Sequence, residues 1–169
     1  GVVALYREER LKAEMESLFA TTALADVRVQ LLAPDEPFAA SKLVPPQEHS
    51  VHTLIINGAE CEPYLTSDHR TMVEYPERVH FGVRVMMHAM GVQRCVIGVE
   101  RNKPDAIATL RRAAPTDLDV TILPLTVKYP QGAEKRLIHA VTGVEVPSGR
   151  LPVTVGVVVQ NVGSVSAIA

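Results

Sequence analysis

The chain has 169 residues, 47% hydrophobic and 21% charged, with a formal net charge of −2. That length and apolar content suit one domain with its own core and exclude a disordered tail. A near-neutral, slightly acidic balance excludes a basic field for nucleic acid or an anionic membrane, and two cysteines are too few for a disulfide scaffold.

In chain order, Arg7 to Ala20 reads as a helix, with Leu11, Met15 and Leu18 on one face. Val27, Val29 and Leu31 alternate like a short strand, and Pro34, Pro37, Pro45 and Pro46 break the chain into a loop. Val51 to Asn57 is a strand whose Leu54-Ile55-Ile56 run does not alternate, as in a parallel strand covered on both faces. After Asp68 a single long amphipathic helix is expected, carrying Val79, Val83, Met86 and Met90 and ending at Gly91. Val92 to Val99 is a second buried strand, and Pro104 opens the next helix, which ends before Pro115. A third strand follows at Asp119 to Leu123, a helix at Gln131 to Val141 closed by Gly143, and an extended connector at Val146 to Pro152. Val155 to Val159 is a fourth strand that leads into the first turns of a helix. Strands alternating with helices predict a three-layer α/β/α domain with a mostly parallel sheet, Rossmann-like in plan. The apolar stretch from Val153 to Ala169 contains Gln160, Asn161, Ser164 and Ser166, so no direct membrane span is expected. The charged run Arg7 to Arg10 does not suit a signal peptide, and a reducing, cytoplasmic setting is expected.

In open α/β sheets ligands bind beyond the carboxyl ends of the strands, where loops and helix N-termini offer free amides. Three loops meet that description: Asn57 to Tyr64, Lys128 to Lys135, and Gln160 to Gly163. Asn57 offers a donor and an acceptor, and Gly58 would let backbone approach a ligand. Asn57 and Glu60 equally suit a plain strand-to-helix turn, and Gly132 with Glu134 equally suits a helix start. Cys61 has no base placed beside it and reads better as a packed thiol than as a nucleophile. The six histidines show no metal-binding spacing, and no metal site is expected.

Taken together, Leu54 to Thr66 (LIINGAECEPYLT), Tyr129 to Ile138 (YPQGAEKRLI), Thr142 to Gly149 and Gly156 to Gly163 resemble the C subunit of the Rnf electron-transport complex. The likeness runs in order from about Phe38 to Ala169, and more distantly it extends to the flavoprotein subunit of respiratory NADH dehydrogenase. It implies an NADH-dependent, ion-translocating oxidoreductase in which electrons pass from NADH through FMN to iron–sulfur clusters. The cofactor-binding positions it implies are Lys42 at the flavin phosphate, Asn57, Glu60 and Cys61 in the loop after the first strand, Gly132 and Glu134 in a second loop, and Asn161 after the last strand. No residue is assigned a catalytic step, because the flavin ring carries the redox chemistry. The resemblance also implies partner subunits of a membrane complex, with this chain cytoplasmic and peripheral on the inner membrane through them.

Two departures stand out. Rnf relatives carry a GxGGAGFP-type stretch before the lysine, whereas this chain reads Gln30-Leu-Leu-Ala-Pro-Asp-Glu-Pro-Phe38 and has no glycine between Gly1 and Gly58. Residues 1–37 are therefore expected to be a divergent helix and strand, distinct from an FMN/NADH-binding-type domain at 38–169. A second reading follows: a non-catalytic scaffold or interaction module that keeps the fold and has lost the nucleotide site. The sequence also holds no CxxCxxCxxxCP run, so the cluster-binding and β-rich portions are expected to lie outside it.

Overall fold

Leu54, Ile55 and Ile56 have no exposed surface, which a strand achieves only when both of its faces are covered. They form the middle of β1 (Thr53–Gly58) in a computed structural model whose described residues are 50–60 and 66–169. Parallel pairing places β1 between β2 (Arg94–Glu100) and β4 (Val157–Asn161), with β3 (Asp119–Leu125) beyond β2. The order is β3-β2-β1-β4.

Helices α1 (Ser67–Glu74) and α2 (Pro76–Met90) connect β1 to β2, and α3 (Pro104–Ala113) connects β2 to β3. Between β3 and β4 lie α4 (Glu134–Thr142) and a 3-10 turn, Pro152–Val155; α5 (Val162–Ser166) follows β4. Alternate strand residues divide the core. Leu54 and Ile56 pack with Met72, Val83, Leu110 and Val165 from α1, α2, α3 and α5. Ile55 faces the other way, toward Leu137 and Ile138 of α4 and Val159. The expected three-layer α/β/α arrangement is present, and burial of each such aliphatic side chain contributes about 1.5–3 kcal/mol. One contact is unusually close: a Cβ on Gly82 would stand 2.0 Å from the Val165 carbonyl oxygen, so the approach of α2 to α5 requires glycine at this position.

The structure corrects several expected boundaries. The long helix after Asp68 is two helices, because Tyr75 (φ −130°, ψ 45°) leaves helical geometry before Pro76. The strand ending at Leu123 continues through Pro124 to Leu125. It lies at the sheet edge, where a missing N–H costs no ladder bond. The α-helix of the β3–β4 connection starts at Glu134 rather than Gln131. The final strand begins at Val157 rather than Val155, because the 3-10 turn closes on Gly156 in a left-handed conformation. The helix at Arg7 to Ala20, the strand at Val27 to Leu31 and the division at residue 37 lie outside the described residues.

The connections place the site. From β1 the chain moves outward to β2 and β3, then returns across the other face of the sheet to the far side of β1. The direction of winding therefore reverses between β1 and β4. A crevice opens at the carboxyl ends of two strands where such a reversal occurs.

Candidate functional site

Asn57 and Asn161 are register partners at the carboxyl ends of β1 and β4. Each uses its carboxamide to tie separate elements together. Asn57 Nδ2 donates to the Gly132 carbonyl at 2.9 Å, while its Oδ1 accepts the Ala59 N–H at 3.0 Å. The loop after β1 is thereby fixed to the loop before α4, 75 residues away. Asn161 Oδ1 accepts the backbone N–H groups of Gly163 (2.7 Å) and Ser164 (3.3 Å) and so caps α5. Its Nδ2 donates to Asp68 Oδ2 at 2.7 Å, which joins β4 to the first turn of α1.

Glu60 forms a second clasp. Its Oε1 accepts the Asp68 N–H at 3.1 Å and the Ser67 hydroxyl at 3.4 Å, placing a carboxylate at the positive end of α1. Its Oε2 accepts from Lys103 Nζ at 3.3 Å, and the two side chains are only 4% and 15% exposed. Lys103 precedes Pro104 at the start of α3, so one carboxylate links the β1 loop to two helix N-termini. The edge is a connected set running from Gly132 through Asn57, and from Lys103 through Glu60 and Asp68 to Asn161.

Four expected positions, Asn57, Glu60, Gly132 and Asn161, thus lie in or beside this network. Glu134 is the first residue of α4, two positions beyond Gly132, and is half-buried. Lys42 and Cys61 lie outside the described residues, as does the 30–37 segment. Gly58 plays a different part from the one expected. A Cβ there would stand 2.7 Å from Met72 Sδ and 3.0 Å from the Gly98 carbonyl, so its missing side chain makes room for internal packing, not for a ligand. Sequence reading missed Lys103 and Asp68. The signal for Lys103 was present: Glu100 to Lys103 is also a loop at the carboxyl end of a strand, directly before a Pro-initiated helix.

Other reactive groups do not join this edge. Cys95 is buried in β2, and burial, with Asp119 nearby, pushes its thiol pKa up and keeps it unreactive. No group of three or more His, Cys, Asp or Glu side chains with metal-binding geometry occurs among the described residues. A groove of about 360 Å³ lies over α4 and the loops that flank it, with Lys128, Gln131 and Lys135 of the second loop in its lining. The edge itself offers amides and carbonyls in fixed positions around a buried ion pair, suited to a ligand read by hydrogen bonds.

The chain is 50% identical over 128 residues to the C subunit of the proton-translocating ferredoxin:NAD(+) oxidoreductase complex of Clostridium ljungdahlii, covering 76% of this chain and 28% of that protein. It is 51% identical over 128 residues to the Na(+)-translocating counterpart of Acetobacterium woodii, covering 76% and 29%. The C subunit of the ion-translocating oxidoreductase complex of Haemophilus influenzae is 43% identical over 131 residues, covering 78% and 16%. These names agree with the resemblance read from the loops, and the chain spans less than a third of each relative's length. Among solved structures, an NAD+-reducing [NiFe]-hydrogenase in the H2-reduced state shares the fold, with a TM-score of 0.65 at 24% identity over 76% of this chain and 26% of that one. The profile of the Nuo51 FMN-binding domain matches residues 37–169, and the chain belongs to that family.

Proposed function

We propose that this chain binds FMN at the carboxyl edge of β1 and β4 and serves as the flavin domain of an ion-translocating electron-transport subunit. In this reading electrons arrive from NADH and leave through iron–sulfur clusters. The observation that carries it is the pairing of Asn57 with Asn161 at the reversal of strand order, with Gly132 tied to Asn57. The residues suit the group: a flavin ring presents an edge of donors and acceptors, and this edge presents amides and carbonyls with little net charge. Asn57, Glu60, Gly132, Glu134 and Asn161 would hold the flavin with Cys61, and Lys42 would meet its phosphate. Bound FMN supplies hydride acceptance and one-electron release.

The chain's own groups position and exclude. Asn57 fixes the distance between two loops, Asn161 and Asp68 hold α5 against α1, and the Glu60–Lys103 pair fills the floor beside β1. A cluster of the usual kind takes four cysteine ligands and this sequence has two, so partner subunits or further chain would supply the clusters. No helix among the described residues is long and apolar enough to cross a membrane. Attachment to the cytoplasmic face of the inner membrane is assigned to partner subunits.

Titration of the purified chain with FMN, followed by quenching of flavin fluorescence, tests the reading. Saturable binding is expected, weakened about tenfold in Asn57→Ala through loss of the loop tie. A colourless protein indifferent to added FMN refutes it. If FMN binds but NADH fails to bleach it under anaerobic conditions, the NADH step alone is refuted.

A further inference from the structure

The outer face of α4 is basic. The helix turns Leu137 and Ile138 into the core and leaves Lys135, Arg136 and His139 exposed. With Lys128 before the helix and Glu145 after it, these side chains line the groove of about 360 Å³, and buried Val146 contributes to its wall. Three fixed cations stand against one carboxylate there, a local excess of positive charge on a chain whose net charge is −2. No carboxylate among the described residues pairs with Lys128, Arg136 or His139, and Lys135 donates to the Pro147 carbonyl at 2.9 Å. Apolar side chains flank these residues in sequence. Of five large hydrophobic residues exposed among the described residues, Val127 and Tyr129 adjoin Lys128, Val144 adjoins Glu145, and Leu151 follows Val146 by five positions, at 53%, 79%, 46% and 67% exposure.

We propose that this face docks a protein partner whose surface presents carboxylates around one or two apolar side chains. Cations alone would equally serve a free phosphate or a lipid headgroup. A free phosphate covers no apolar side chain, and an anionic bilayer is repelled overall by a chain of net charge −2, whereas protein interfaces combine an apolar centre, often with an arginine, and a charged rim that steers approach. The proposal does not depend on FMN binding.

The test uses the ¹⁵N-labelled full chain and a synthetic peptide in which Glu and Asp surround Phe and Leu. The same peptide with Lys for the acids, inorganic phosphate, and phosphatidylcholine–phosphatidylglycerol vesicles serve as controls. The acidic peptide is expected to shift the amide resonances of residues 128, 136, 139, 144 and 151, while the controls leave them in place. Reversing two charges (Lys128→Glu with Arg136→Glu) should weaken binding about tenfold, and Val144→Ser with Leu151→Ser should weaken it about threefold. Lys128→Gln with Arg136→Gln replaces the charge reversal if that variant fails to fold. The proposal is overturned if the peptide does not bind or shifts other residues, if phosphate or vesicles give the same shifts, or if either pair of substitutions leaves affinity unchanged.

Discussion

Replacing Lys103 with methionine keeps most of the side chain's volume and removes its charge, leaving the Glu60 carboxylate without its cation. At 3.3 Å the pair's attraction is about 5 kcal/mol for an effective dielectric near 20. Most of that is offset by the cost of taking both ions out of water, so the net worth of the intact pair is small. Removing one partner is different, because the remaining charge keeps its desolvation cost. Orphaned buried ions typically cost about 3–5 kcal/mol. Glu60 retains the Asp68 N–H and the Ser67 hydroxyl, which lowers the expectation for Lys103→Met to about 2–3 kcal/mol. The reverse orphan should be milder. Lys103 is 15% exposed against 4% for Glu60, so its ammonium has the readier access to water once Glu60→Gln removes the carboxylate. About 1 kcal/mol is expected there.

Urea unfolding followed by circular dichroism measures both. The midpoint should fall by about 1 M in Lys103→Met and by about half as much in Glu60→Gln, with unchanged slope. Lys103→Arg should recover most of the loss. The reasoning is refuted if Lys103→Met unfolds within about 0.5 kcal/mol of the parent. It is equally refuted if Glu60→Gln proves the more damaging change.

Three further outcomes follow from buried groups. Gly82→Ala should cost about 3 kcal/mol or more in urea unfolding, since the new methyl meets backbone at Val165, which cannot rotate away as a side chain would. His80 donates from Nε2 to the Leu110 carbonyl at 2.9 Å and leaves Nδ1 buried and unpaired; burial holds its pKa below the usual 6.5. The unfolded chain therefore takes up the proton first, so stability should fall as pH drops below 6.5 and level off below the folded pKa, a dependence that His80→Leu should flatten in urea midpoints. In a Cys61→Ser background, Cys95 should resist iodoacetamide until the chain is unfolded; rapid labelling of the native protein would show its thiol accessible.

What could be read in advance depended on whether a feature is local. The unbroken Leu54-Ile55-Ile56 run announced a strand with two covered faces, and Gly91 and Gly143 announced helix ends that the structure shows in left-handed geometry. Where periodicity and a local breaker disagreed, the breaker won. Val79, Val83 and Met86 all belong to α2, and only Met72 of the buried set lies before the break at Tyr75–Pro76, so the apolar repeat was extended over a residue that proline keeps out of helical geometry. The third strand erred in the opposite direction: expected to end at Leu123, it runs on through Pro124, which is tolerated because β3 forms the edge beyond β2, a fact that belongs to topology. Lys103 and Asp68 were hidden for a related reason, since their partners lie 43 and 93 residues away in sequence.

The same distinction bears on how the edge works. Asn57 and Asn161 stand out in the sequence as ligand-facing groups, yet each carboxamide is engaged on both its oxygen and its nitrogen by the protein. An amide suits this position because it donates and accepts at once without adding charge, and so can join two elements with one short side chain. Alanine at either position would therefore loosen a loop before it removed a ligand contact. The consequence is a division of labour: side chains at the reversal of strand order set the spacing between loops, and the backbone groups they hold are what a bound molecule would meet. Recognition built this way depends on three separate loops staying in register. The Asn57–Gly132 and Asn161–Asp68 ties do so, and Glu60 anchors the loop after β1 to the starts of α1 and α3.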